Sequence, residues 1–176
     1  MKTNTKKLVL SALFLSLAFV LPFITGRIPQ IGKSLLPMHI PILLCSFICG
    51  PYWGFTVGLI APISRSLLLG GMPPIFPDAV GMTFELATYG FMAGAIYKLL
   101  KKKTWAVYPA LIGSMISGRI VWGIVRFAML GLFQTKFSFA LFLSGGFTKA
   151  IPGIVLQIVL IPVIVIVLKK TKLYFD

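Results

Sequence analysis

Six ionisable side chains lie within or at the edges of long apolar stretches of the 176-residue sequence, and these groups have the greatest capacity for binding chemistry. They are Arg65, Asp78, Glu85, Arg119, Arg126 and Lys149. The two acids are seven residues apart, as are Arg119 and Arg126, so each pair falls on one face of a helix. A charge in a membrane-like interior costs about 2.5–3.5 kcal/mol and marks a binding or transport site by default.

The balance of these charges predicts the kind of ligand. Four of the groups are cationic and two are anionic. If each acid pairs with one arginine, two positive charges remain, and an uncompensated buried charge is costly. The guanidinium fork binds both oxygens of a carboxylate, so the surplus predicts a small solute that carries a carboxylate. The alternative is that the charges form internal ion pairs that only hold helices together.

The composition excludes most enzymes and soluble binding proteins. Apolar residues make up 58% of the chain and charged residues 11%, against roughly 45–50% and 25% in soluble domains. The chain has three acidic residues and one histidine, His39, which provide few of the residues needed for a paired-carboxylate, Ser-His-Asp or zinc site. The net charge of +14 would otherwise indicate nucleic acid, but the apolar content favours a membrane. We therefore expect no catalytic residue, metal, cofactor or nucleic-acid partner.

Apolar blocks separated by turn residues predict the fold. A membrane-spanning helix needs about 20 mostly apolar residues, and breaks such as Gly50-Pro51 and Gly145-Gly146 carry turn chemistry. The six predicted spans are 8–25, 36–50, 53–69, 78–100, 105–133 and 146–168. The second is short, which predicts a tilted or broken helix, and the fifth is long enough to include an interfacial turn. The sequence thus predicts an all-α membrane protein, with six transmembrane helices in one domain over residues 1–176.

The basic residues are distributed unequally between the two sets of loops. Ten lie on the side of the termini and of the fourth-to-fifth connection, and three lie on the other side. The positive-inside rule therefore predicts a multi-pass protein with both termini cytoplasmic. Most intramembrane charges then fall in the outer half, which predicts a polar site that opens outward above an apolar inner half, rather than a channel.

Two further segments are candidates for movement or docking. The loop at 70–77 contains two glycines and three prolines, and it forms either a lid over the site or a rigid interhelical turn. In the first span, Ala12 and Ser16 belong to a small-residue stripe that lets another helix approach closely, either within the chain or from a partner. The sequence has no Walker-type ATP-binding motif, so transport would need an energising partner.

Two stretches resemble a known family. LLPMHIPILLCSFICGP, at 35–51, leads a proline-bearing loop into an apolar helix that ends in Gly-Pro. With GLIAPISRSLLLGGMPPIFPDAVGMTFELATYGFMAGAIYKLL, at 58–100, it resembles the substrate-binding S components of energy-coupling factor (ECF) transporters, especially their pantothenate-type branch. The resemblance extends over essentially the whole chain, including the small residues of the first helix.

The resemblance implies a vitamin-binding subunit of an ECF-type ABC importer in a bacterial plasma membrane. Such a subunit docks through its first helix, here at Ala12 and Ser16, on a membrane scaffold protein that carries two cytoplasmic ATPases. Ser16 departs from the alanine pattern of the family but is also small. The residues that the resemblance implies at or near the substrate are His39, Arg65, Met72, Phe76, Glu85, Tyr89, Arg119, Trp122, Arg126, Lys149 and Gln157.

Several substrates and two other functional classes stay open. Pantothenate suits the cationic surplus because it combines a carboxylate with hydroxyl and amide groups. Hydroxymethylpyrimidine, niacin, pyridoxine and folate are alternatives within the superfamily, and niacin and folate are also anionic. A self-sufficient small-solute transporter is a second class. An intramembrane enzyme that uses His39 or Glu85 is a third, and it has too few partner residues for a nucleophile and base.

Overall fold

The computed structural model describes residues 3–26, 35–68, 73–101, 103–132 and 150–170. These residues form six α-helices and include no β-strand, which confirms the predicted all-α fold. The helices are α1 (Thr3–Gly26), α2 (His39–Cys49), α3 (Pro51–Leu68), α4 (Val80–Leu99), α5 (Val107–Leu132) and α6 (Ile151–Lys170). A π-helical turn, Ile75–Ala79, precedes α4, and a 3-10 turn, Thr104–Ala106, precedes α5 as the long fifth block predicts.

The lengths of the helices and the chemistry of their exposed faces both suit a membrane. Four stretches of the described chain are long and apolar enough to cross one, and they are Asn4–Thr25, Ile75–Leu99, Thr104–Leu130 and Ile151–Lys169. On α6 every fourth residue is a large apolar side chain that is more than half exposed. These residues are Ile151, Val155, Val159, Val163 and Val167. Soluble monomers rarely expose contiguous apolar surface of this extent, so this face is suited to contact with lipid.

The second helix lies at the centre of the bundle. α2 has eleven residues, which is about 16 Å of helix, and all of them are buried. It packs on α1, α3, α4 and α6. A helix that is covered on all sides has no face toward solvent, which explains why this block is mostly apolar, with His39 and Ser46 as its polar exceptions. The expectation of a short second helix is therefore confirmed.

A glycine makes the turn between α2 and α3. The φ angle of Gly50 is +105°, in a region that glycine adopts without the strain that a side chain would bring. Its amide donates to the carbonyl of Ser46 at 3.0 Å. Pro51 then begins α3, where its missing N–H has no helical partner to lose. The Gly-Pro break predicted from the sequence is confirmed.

Glycines bring the backbones of α3 and α4 into contact. Gly54 and Gly58 lie four residues apart on α3, and Gly90 and Gly94 lie four apart on α4. A Cβ added at Gly54 would lie 2.8 Å from the carbonyl oxygen of Gly90 and 2.6 Å from the Cβ of Ser46. Facing small-xxx-small motifs are a common basis for close packing of membrane helices. The close approach also lets the Ser46 hydroxyl of α2 donate to the Gly90 carbonyl.

Parts of the predicted organisation lie outside the described residues. These are the Gly145-Gly146 break, residues 146–149 of the predicted sixth span, and residues 70–72 of the outer loop.

The glycine contact gives a first prediction. Gly54→Ala should lower the free energy of unfolding by about 1–3 kcal/mol, because the new methyl group meets backbone that cannot move aside. Thermal unfolding of the purified protein in detergent measures the effect. Gly113→Ala is the matched control, since its Cβ would meet only the terminal Cδ1 of Ile96, at 2.9 Å. That change should be neutral or stabilising by roughly 0.5–1 kcal/mol, and equal losses in both variants would contradict the explanation.

Candidate functional site

A buried cluster of polar side chains lies where α2, α4 and α5 meet, and Glu85 of α4 is at its centre. Arg119 Nη1 of α5 lies 3.3 Å from Glu85 Oε1. Nε2 of His39, the first residue of α2, lies 3.6 Å from the same oxygen. The three side chains are only 2–5% exposed. An isolated carboxylate at this depth would be very costly, so the Arg119 guanidinium is the counter-charge that the site requires.

Tyr89 packs against this cluster one helical turn after Glu85. Its ring meets the His39 ring edge-on, with 5.1 Å between centroids and an interplanar angle of 89°. Gly118 of α5 lies beside the Tyr89 ring, at a distance that leaves no space for a side chain. The edge-on contact holds the Tyr89 ring and the His39 imidazole in place, with the imidazole facing Glu85.

Several polar atoms of this region have no hydrogen-bond partner within the described part of the chain. They are Nδ1 and Nε2 of His39, Oε1 of Glu85, Nε and Nη2 of Arg119, Nε of Arg126, and Nε2 of Gln157. Buried polar groups are nearly always hydrogen-bonded, and an unsatisfied one costs about 1–3 kcal/mol. All of these atoms belong to residues that the sequence predicted for the site. These donors and acceptors are available to a polar ligand or to water.

Gln157 reaches the interior from the sixth helix. Its side chain is buried, with the residue 1% exposed. α6 packs on α2 and α5, which are the helices that carry His39 and Arg119. The structure therefore places the Gln157 amide among the elements that form the cluster.

A second ion pair lies nearer the end of the bundle. Arg126 of α5 pairs through Nη2 with Oδ1 of Asp78, in the turn before α4, and the two side chains are 19% and 39% exposed. The Arg126 guanidinium also lies over the Trp122 ring, 5.2 Å from the centroid. An ideal Cβ at Gly81 would lie 3.6 Å from both side chains, so Gly81 lies beside this pair at a distance where even a methyl group would make ordinary van der Waals contact.

The two ion pairs share one register. Asp78 and Glu85 are seven residues apart, and their partners Arg126 and Arg119 are seven apart in the opposite direction. Two antiparallel helices with these spacings bring both pairs together at once. The pairing anticipated for each acid is therefore present, and each pair is neutral when both members are ionised.

Arg65 has a different environment from the other two arginines. Its Nη1 donates to the carbonyl of Phe19 on α1 at 2.8 Å. Its guanidinium lies 5.1 Å from the centroid of the Phe23 ring. These contacts turn Arg65 toward α1, and none of its described contacts joins it to the Glu85 cluster.

The three remaining predicted residues of the substrate site fall in two places. Lys149 and Met72 lie outside the described residues. Phe76 is on the turn before α4 and is 44% exposed. Ser66 at the end of α3 donates to the Pro73 carbonyl at 2.6 Å, which ties the start of this turn to the bundle. The lid role of the loop stays a prediction.

The small residues of α1 divide between two faces. Ala12 and Ser16 are exposed, whereas Ser11 and Ala18 are buried in the bundle. The Ser16 hydroxyl donates to the Ala12 carbonyl at 3.0 Å. The outward face of α1 therefore presents two small side chains with the serine hydroxyl already bonded.

One glycine that shapes the site was not predicted. Gly118 makes room for the Tyr89 ring, which would collide with any side chain at this position. Gly118 directly precedes Arg119 in the sequence, but nothing local in the sequence identifies Tyr89 as its neighbour.

Comparison with known proteins gives one match. The family model described as "ECF transporter, substrate-specific component" matches residues 6–165. That span covers most of the chain and contains every site residue named above. Neither a curated protein nor a solved structure matches the chain significantly.

The buried pair gives a second prediction. Glu85→Gln should destabilise the protein by about 3–5 kcal/mol, because it leaves the Arg119 guanidinium buried without a counter-charge. The double variant Glu85→Gln/Arg119→Met should recover much of this loss. Thermal unfolding of the four proteins of the cycle measures the coupling, and a value near zero would contradict the pairing. The same cycle on Asp78 and Arg126, which are more exposed, should give a smaller coupling.

Proposed function

The chain belongs to the family of substrate-specific components of ECF transporters, and from this premise we propose that it binds a vitamin or vitamin precursor that carries a carboxylate. Pantothenate is the best candidate. Members of the family are transport subunits rather than catalysts, so the chain acts by binding its solute and handing it inward, while partner subunits hydrolyse ATP.

The observation that carries this proposal is the excess of unpartnered hydrogen-bond donors at the site. Arginine and glutamine nitrogens only donate, neutral histidine offers one donor and one acceptor, and an ionised glutamate only accepts. The unpartnered donors are Nε and Nη2 of Arg119, Nε of Arg126 and Nε2 of Gln157, against the acceptor Oε1 of Glu85. A complementary ligand has several acceptors and few donors. A carboxylate with amide and hydroxyl groups fits this description.

Within the proposed site, the ligand carboxylate belongs at Arg126. This guanidinium is less buried than that of Arg119, and its fork can hold two carboxylate oxygens. Asp78 supplies a carboxylate to Arg126 in the structure, so a ligand would replace one carboxylate by another. The amide and hydroxyl groups of the ligand would then reach Glu85 and Gln157, with Tyr89 and His39 packed beside them.

We infer a cytoplasmic position for both termini and an outward-facing site in a bacterial plasma membrane. The support is the distribution of charge along the helices. Both described acids lie at or near the start of α4, and of their arginine partners Arg126 lies toward the end of α5 and Arg119 at its middle. Lys98, Lys101 and Lys103 lie at the other end of α4 and in the connection that follows it, as the positive-inside rule requires of a cytoplasmic loop.

The outward face of α1 is the proposed docking surface for the scaffold that carries the two ATPases. Ala12 and Ser16 are exposed there among large apolar side chains such as Leu13 and Leu17. Small residues allow a partner helix to approach closely in a membrane. The hydroxyl of Ser16 is bonded to its own helix, so it adds no unsatisfied donor to such an interface.

Calorimetric binding of a vitamin panel to the purified protein tests the substrate, and it gives a third prediction. Arg126→Ala should weaken binding of the preferred vitamin about tenfold or more, because a hydrogen bond to a charged group contributes about 1.5–3 kcal/mol. The panel contains pantothenate, niacin, folate, pyridoxine and hydroxymethylpyrimidine. If no member bound more tightly than about 1 µM, the proposed function would be wrong.

Two control variants separate the carboxylate site from a general effect of charge. Lys101→Ala removes a cation outside the site and should leave affinity unchanged. Asp78→Asn removes the internal competitor for Arg126 and should maintain or increase affinity for an anionic vitamin. Loss of binding in Asp78→Asn would contradict the exchange of carboxylates at Arg126.

The docking surface gives a fourth prediction. Ala12→Trp should abolish co-purification with the scaffold and ATP-dependent uptake in proteoliposomes, because the indole prevents close helix approach, while vitamin binding is retained. Val163→Trp places the same side chain on the exposed stripe of α6 and should retain both. Uptake by the chain alone, without ATPase partners, would instead favour the self-sufficient transporter.

A further inference from the structure

A cavity lies at the end of the bundle opposite the Glu85 cluster. It has a volume of about 240 Å³ and is lined by the start of α1, the α2–α3 corner at Gly50 and the end of α4. No residue of the candidate vitamin site lines it. The cavity is therefore a separate feature that the proposed function does not use.

The cavity is positively charged, and its cations lack a nearby counter-charge among the described residues. Lys7 of α1 and Lys98 of α4 line it, together with the amide of Asn4. The two acids that the structure describes are paired with arginines at the other end. Glu85, the nearer of them along α4, is thirteen residues before Lys98, which is about 20 Å of helix.

Helix ends of both polarities line the cavity. Pro51, Tyr52 and Trp53, the first three residues of α3, line the cavity. First-turn amides have no acceptor within their own helix, and the helix dipole places partial positive charge there. The last turns of α2 and α4 line the same cavity with their partly negative carbonyl ends, so Lys7 and Lys98, rather than the helix dipoles, supply the charge that favours an anion.

A groove continues from this cavity along the surface between α1 and α3. It has a volume of about 590 Å³ and shares Asn4, Tyr52 and Trp53 with the cavity. Its other lining residues are Thr5, Leu8 and Thr56. Tyr52 is 75% and Leu8 55% exposed, on helices whose outward faces suit lipid. Aromatic side chains with a polar tip are typical of the membrane interface.

From this arrangement we propose that the cavity binds the phosphate headgroup of an anionic phospholipid, and that an acyl chain of the same lipid lies in the groove between α1 and α3. Basic pockets between membrane helices bind anionic headgroups in this way. A phosphate free in solution would fill only the charged cavity and leave the groove empty. The continuity of cavity and groove therefore favours a lipid over a soluble anion.

Competition between two lipids tests the proposal on the unmodified protein. Native mass spectrometry after addition of equal amounts of phosphatidylglycerol and phosphatidylcholine should show preferential retention of phosphatidylglycerol. Raising the salt concentration should weaken this preference. Equal retention of the two lipids would overturn the proposal. So would binding of glycerol phosphate as tight as that of the lipid, since that result assigns a small-anion site.

Lysine variants locate the site. Lys7→Gln/Lys98→Gln should lower retention of phosphatidylglycerol roughly twenty-fivefold, at about fivefold for each lysine, and leave phosphatidylcholine unchanged. Lys101→Gln/Lys103→Gln removes the same charge from the same end without touching the cavity and should have little effect. Lys7→Arg/Lys98→Arg should retain the preference and controls for folding. An equal loss in the two glutamine pairs would overturn the assignment to this cavity.

Discussion

The burial of the Glu85 carboxylate is the constraint on which the rest of the site depends. At 3% side-chain exposure it is stable as an anion only with the Arg119 guanidinium, 3.3 Å away. That requirement fixes the register of α4 against α5. Asp78, in the turn before α4, precedes Glu85 by seven residues, and Arg126 follows Arg119 by seven, so the same register brings them together. One buried charge thus aligns the two helices that carry most of the site.

The helices were predictable because their signals are local. Apolar length and turn residues located all six, and the shortness of the second followed from its sequence. The glycine pairs that let α3 and α4 pack closely, Gly54/Gly58 and Gly90/Gly94, are also visible in the sequence. Their role in packing was not predicted. Helices in backbone contact cannot slide past each other without collision, so these glycines help to hold the register that the buried ion pair requires.

The partners of the arginines were not predictable from the sequence. Arg65 and Arg126 both lie near the same end of apolar helices, and nothing local distinguishes them. In the structure Arg65 donates to the carbonyl of Phe19, whereas Arg126 pairs with Asp78. The difference arises from which helix is the neighbour, a property of tertiary packing. The expected surplus of two cations at the site is therefore smaller among the described residues than simple counting indicated.

The basic residues that give the chain its net charge of +14 differ in their access to water. The buried Arg119 and the partly exposed Arg126 are each neutralised by a carboxylate, which offsets the cost of taking these cations out of water. At the other end, Lys7 and Lys98 line a cavity with no nearby described acid, since a long, strongly hydrated side chain there can reach water or lipid headgroups. An anion entering the core must therefore exchange with an internal carboxylate, whereas an anion at the lysine end can come from the surrounding leaflet.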